Sequence, residues 1–76
     1  EEYALANELG EFIRRFVRSL PTRDGDIFAR RYFFTEPIKS IAARYHLSEN
    51  NTMVILSRVR AKLREELKKE GFYNEP

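Results

Sequence analysis

The stretch "IAARYHLSENNTMVILSR", residues 41–58, decides how this chain folds. Ile41, Ala42 and Tyr45 are spaced to share one side of a short helix. Leu47-Ser48 then forms a tight turn. Ser48 offers a hydroxyl to an orphan first-turn N–H, and Glu49 places a carboxylate at the positive end of a helix dipole, so a second helix starts here. The middle of the stretch, Met53-Val54-Ile55-Leu56, is apolar. At about 100° per residue the run divides among faces. Thr52, Leu56, Val59, Leu63 and Leu67 form an inner stripe flanked by Met53 and Ile55, while Val54, Arg58, Ala61 and Glu65 lie on the opposite, outer face. The helix runs to about Glu70, where Gly71 can stop it. A short helix, a tight turn and a longer helix are the plan of a helix-turn-helix, whose second helix enters the major groove N-terminal end first. Many small bundles share such a turn, so the plan alone leaves DNA binding open.

Upstream, "PIKSIAARYH" (37–46) is a third helix with Pro37 at its first position, where the missing N–H costs nothing. Ile38, Ile41, Ala42 and Tyr45 face inward; Lys39, Ala43 and His46 face outward. Before it, Phe33-Phe34-Thr35-Glu36-Pro37 breaks the helical pattern. The second helix is expected to start at a Thr22 cap with Asp24 and Asp26 in its first turn, and to carry Ile27, Phe28, Arg31 and Tyr32. Gly25 weakens it by about 1 kcal/mol relative to Ala. The first helix shows an inner stripe of Leu5, Leu9, Phe12, Phe16 and Leu20 and ends at Pro21. No segment alternates with period two long enough for a strand. The expectation is an all-α, four-helix domain with a helix-turn-helix and a long C-terminal recognition helix. Tyr32, Phe33 and Phe34 are expected to be core and its lid.

The chain has 76 residues, 42% of them hydrophobic and ten of them aromatic, which suits one small packed domain and excludes wholesale disorder. We read residues 1–76 as a single helix-turn-helix domain belonging to a longer chain. There is no apolar run near the ~20 residues that span a bilayer and no basic-then-apolar signal pattern at the start. With no cysteine and one histidine, disulfides, thiol chemistry and an ordinary zinc site are excluded, no cofactor is expected, and a cytoplasmic location fits. Residues 1–26 carry four basic and six acidic side chains (−2), residues 27–69 ten and four (+6), and the last seven residues add −2. A basic segment between acidic ends suits an anionic partner, though it equally describes solvated helix faces. There is no Gly-rich phosphate loop, no paired-carboxylate arrangement and no triad, and Ser48 reads as a cap rather than a nucleophile; the expectation is not an enzyme.

The ordered strings "LPTRDGDIFARRYF" (20–33), "IAARYHLSENNT" (41–52) and "LSRVRAKLREEL" (56–67) resemble region 4 of sigma-70 family RNA polymerase sigma factors, with the extracytoplasmic-function type most similar. The resemblance covers about residues 9–70. It implies binding of the −35 promoter element through the helix-turn-helix, docking on the β flap of RNA polymerase core, an anti-sigma protein as a further partner, a bacterial cytoplasmic setting and action as one copy. Where the family often has Gly-Thr-Val-Lys/Arg-Ser-Arg, this chain has Asn50-Asn51-Thr52-Met53-Val54-Ile55. A family turn glycine is His46, a glycine between the second and third helices is Thr35, and a common Glu before Ile-Ala is Ser40. The reading surface is therefore thinner in charge than the family usually offers.

The expected base-reading residues are Asn50, Asn51, Val54 and Arg58. Arg can pair bidentately with guanine O6 and N7, Asn with adenine N6 and N7, and a Val methyl can meet the thymine methyl. The expected phosphate contacts are Arg31, Lys39, Arg44, Ser48 and Lys62. Each has an ordinary alternative: solvated charge for the cations, an extended cap for Asn50 and Asn51, a lone exposed apolar residue for Val54. Two other functions stay open. One is a protein-interaction module of the same fold, whose Met53-Val54-Ile55 edge binds polymerase or an anti-sigma protein. The other is a different helix-turn-helix regulator.

Overall fold

The computed structural model describes the backbone of residues 2–72 and the side chains of residues 7–72. Its four helices are α1 (Glu2–Ser19), α2 (Thr22–Tyr32), α3 (Ile38–Arg44) and α4 (Glu49–Lys69), with no strand among the described residues. The expected all-α architecture is the observed one.

The core follows from the apolar periodicities. Phe16 and Leu20 of α1, Ile27 and Phe28 of α2, Ile41 of α3, and Leu56 and Val59 of α4 form one buried cluster. Phe16 meets Phe28 edge to face at 6.4 Å between ring centroids, a favoured aromatic arrangement. Thr52 is also fully buried, and its hydroxyl is satisfied by donating to the Ser48 carbonyl at 2.9 Å. Leu9 is half-buried; Leu5, the first position of the α1 stripe, lies outside the residues whose side chains are described.

Three local expectations need correction. Thr22 does not cap α2. Pro21 is the cap residue, its carbonyl accepting the first helical bond from Gly25 N–H at 2.9 Å, and Thr22 is already helical. Pro37 likewise caps α3 instead of occupying its first helical position; its carbonyl accepts from Ile41 N–H at 3.1 Å. Tyr32, Phe33 and Phe34 are not core. All three are exposed, Phe34 by 72%. Phe28 already fills the core site on this end of α2, so Tyr32 and Phe33 lie against its ring from outside, with centroids at 4.8 and 6.2 Å.

Gly25 is more than a weak point in α2. It is buried against α1, and a Cβ there would stand 2.9 Å from the Val17 carbonyl oxygen. The two helices approach this closely only because the side chain is absent.

Candidate nucleic-acid interface

The helix-turn-helix is α3, its turn and the start of α4. α3 ends with His46 in the left-handed region (φ 58°). That conformation lets His46 N–H reach the Ala43 carbonyl (3.3 Å) and Leu47 N–H reach the Ala42 carbonyl (2.8 Å). The pair of bonds is a Schellman motif with histidine in the usual glycine position. Ser48 then caps α4 as expected, its Oγ accepting from Asn51 N–H at 3.0 Å.

From that cap the first turns of α4 divide as the sequence indicates. Thr52, Leu56 and Val59 are buried, and Asn50, Asn51, Val54 and Arg58 are all exposed. By helix geometry these four fall within an arc of about 100° and span about 12 Å of axis. Among the described residues Arg58 and Lys39 make no ion pair or side-chain hydrogen bond. Lys39 stands exposed at the start of α3.

The other expected phosphate contacts are placed differently. Arg31 is half-buried and donates to the Glu36 carbonyl at 3.2 Å. Arg44 is exposed but pairs with Glu36 Oε2 at 3.2 Å. Glu36 Oε1 accepts from Arg30 at 3.3 Å, and Arg30 also donates to Asp26 (3.2 Å) and the Tyr45 hydroxyl (3.1 Å). Glu36 thus clasps α2 to α3. The hydrogen bond that Arg30 donates to Asp26 raises the Arg30 pKa most, desolvation opposes it, and Glu36 adds to the rise. Lys62 is exposed but borders a cleft beside α1 with Phe12, Arg15 and Glu66. It lies about 18 Å along the axis from Asn50. The structure therefore gathers Ser48, Asn50, Asn51, Val54 and Arg58 on one end of α4. It places Lys62 apart and engages Arg31 and Arg44 internally.

Sequence reasoning passed over two features. Met53, expected to flank the core, is 49% exposed beside Val54. Its face of α4 looks toward the start of the short α3, where a cleft lined by Arg31, Tyr32, Ile38 and Arg60 leaves it uncovered. Arg60 donates to the Tyr32 hydroxyl at 2.6 Å, tying α4 to the end of α2. Neither has a local sequence signal, since both depend on how α2 and α3 sit against α4.

A second surface lies away from this face. Ile13, Phe28, Tyr32, Phe33, Leu63 and Leu67 line an open apolar groove between α1, α2 and the second half of α4, joined by Arg60 and Arg64. None of the base-reading candidates borders it. No helix among the described residues is long and apolar enough to cross a membrane, and no group of His, Asp or Glu among them could hold a metal ion.

Residues 13–63 match the family described as "Sigma-70, region 4". That span takes in the core, the helix-turn-helix and all of the base-reading candidates. No curated protein and no solved structure gives a match to the chain.

Proposed function

The chain belongs to the sigma-70 region 4 family, and on that premise we propose that it recognises the −35 element of a promoter as the C-terminal domain of an alternative sigma factor. One observation carries the reading. Directly after the Ser48 cap, exposed Asn50, Asn51, Val54 and Arg58 share the face of α4 opposite its buried stripe. Insertion of this end into the major groove brings Arg58 to a guanine edge and Asn50 or Asn51 to an adenine edge. Lys39 holds the register through a phosphate, joined by Arg44 once DNA competes with Glu36 for its guanidinium. With so few cations on this face, the isolated domain binds as one copy and weakly.

The test is a salt titration of binding to a randomised duplex pool, followed by sequencing of the retained DNA. Arg58→Ala is expected to lose about 1–3 kcal/mol of discrimination at one base pair. Lys39→Ala is expected to weaken all duplexes alike and to reduce the slope of log K against log salt by about 0.9. Unchanged affinity and preference in Arg58→Ala would remove the proposed base contact.

The apolar groove favours a second role alongside the first. Its aromatic floor and its position away from the reading face suit the β flap of RNA polymerase core, with an anti-sigma protein as a competing occupant.

A further inference from the structure

We propose, resting on the DNA-binding reading above, that Met53 and Val54 are specificity-determining residues that recognise thymine through its 5-methyl group. On α4 they are the two large apolar side chains left exposed, by 49% and 37%. Every other exposed position of that helix is polar, charged or alanine. The fold gains little from either. Neither belongs to the buried cluster or to the partly buried apolar residues packed on it. A β-branched Val also costs helix propensity, a cost that burial does not offset at this site.

Their neighbours identify the occupant. Val54 has Asn50 one turn before it and Arg58 one turn after it, on the same outer arc. An apolar contact framed by an amide and a guanidinium matches a base-pair ladder, where a methyl group stands among hydrogen-bonding edges. Thymine is the base that presents a methyl in the major groove; cytosine presents an amino donor, which two aliphatic side chains would desolvate without pairing. The surrounding segment 27–69 carries a charge of +6, and Arg58 and Lys39 are without ion-pair partners among the described residues. That charge complements a phosphate backbone. The apolar groove that suits a protein partner includes neither residue. Met53 and Val54 replace charge with shape: discrimination moves from salt-sensitive pairs to the exclusion of water between methyl groups.

The experiment takes the duplexes retained by the 76-residue chain and replaces their thymines one at a time with deoxyuridine, which removes only the methyl. At one or two positions the affinity is expected to fall about fourfold, the worth of one buried methyl. In Val54→Ser or Met53→Gln the matching loss disappears, which assigns each methyl to its side chain. If deoxyuridine is neutral at every thymine while Arg58→Ala still loses preference, the methyl contact is wrong and the DNA reading stands. If the pool yields no motif and Arg58→Ala changes nothing, both fall. If Val54→Lys abolishes binding of polymerase core and leaves DNA affinity the same or higher, this edge is a protein surface and the proposal is overturned.

Discussion

The α1–α2 contact and the two ends of α3 make opposite use of glycine. At the contact, glycine stands where a side chain cannot: Gly25 admits the Val17 carbonyl to within 2.9 Å of where a Cβ would be. At α3, side chains stand where glycine would be free of strain. Thr35, just before the helix, has φ 52°, and His46, just after it, has φ 58°. The end of α4 provides the control. There Gly71, at φ 84°, makes the same pair of bonds as His46, with Gly71 N–H to the Lys68 carbonyl and Phe72 N–H to the Leu67 carbonyl. Left-handed backbone at a residue with a Cβ costs about 1–2 kcal/mol. The packing half of the molecule thus avoids strain that the helix-turn-helix half retains, on both sides of the helix that positions α4. Strain kept in this way is a mark of a segment held for a reason other than stability.

Substitutions at these positions can break or sharpen the contrast. Gly25→Ala is expected to have the largest effect, a loss of about 1–3 kcal/mol from overpacking despite the gain of about 1 kcal/mol in helix propensity. A urea midpoint measurement reads it, and an unchanged or raised midpoint would show that the helices can move apart at little cost. Thr35→Gly and His46→Gly go the other way. Thr35→Gly should stabilise by about 1 kcal/mol, because a β-branched residue is the poorest fit to this region. His46→Gly should stabilise by somewhat less, because histidine tolerates it better. If both lower the midpoint, their side chains make contributions that outweigh the backbone strain. Gly71→Ala should lose about 1 kcal/mol or less: its Cβ would meet open space, but φ 84° strains any side chain there, and only fraying of the helix end relieves that strain. A loss there as large as that of Gly25→Ala would show that left-handed backbone at a helix end costs as much as close approach between two helices.

The same division explains what was legible in the sequence. The faces of α4 follow from a period of 3.6 and could be read residue by residue, and Ser48 announces its cap by type and place. The ordered family strings added what periodicity cannot, the likeness to sigma-70 region 4 that residues 13–63 bear out. Features made by loops were hidden. Glu36 meets Arg30, Arg31 and Arg44 only because the 33–37 segment turns at a left-handed Thr35, which lets Glu36 N–H return to the Arg30 carbonyl at 2.9 Å. The three aromatics 32–34 read as core and its lid, but of the rings at this end of α2 only Phe28 is buried, and Tyr32 and Phe33 lie against its ring from outside. Met53 is exposed because α3 is only seven residues long and leaves that flank of α4 uncovered. The proline caps differ from expectation by one residue because a carbonyl, not a side chain, starts each helix.

α4 is one uninterrupted helix of 21 residues, about 30 Å long. Its first turns present Asn50, Val54 and Arg58, and its later turns line the apolar groove with Leu63 and Leu67. The two surfaces are therefore locked in rotational phase. A body that grips the apolar groove also sets the azimuth at which Asn50, Val54 and Arg58 are presented, as a hand on a key's bow sets the angle of its bit. Inserting one residue between Arg58 and Leu63 would advance the far end by only about 1.5 Å but rotate it by about 100°, turning Asn50, Val54 and Arg58 to another side of the body that grips the apolar groove while leaving both surfaces chemically intact.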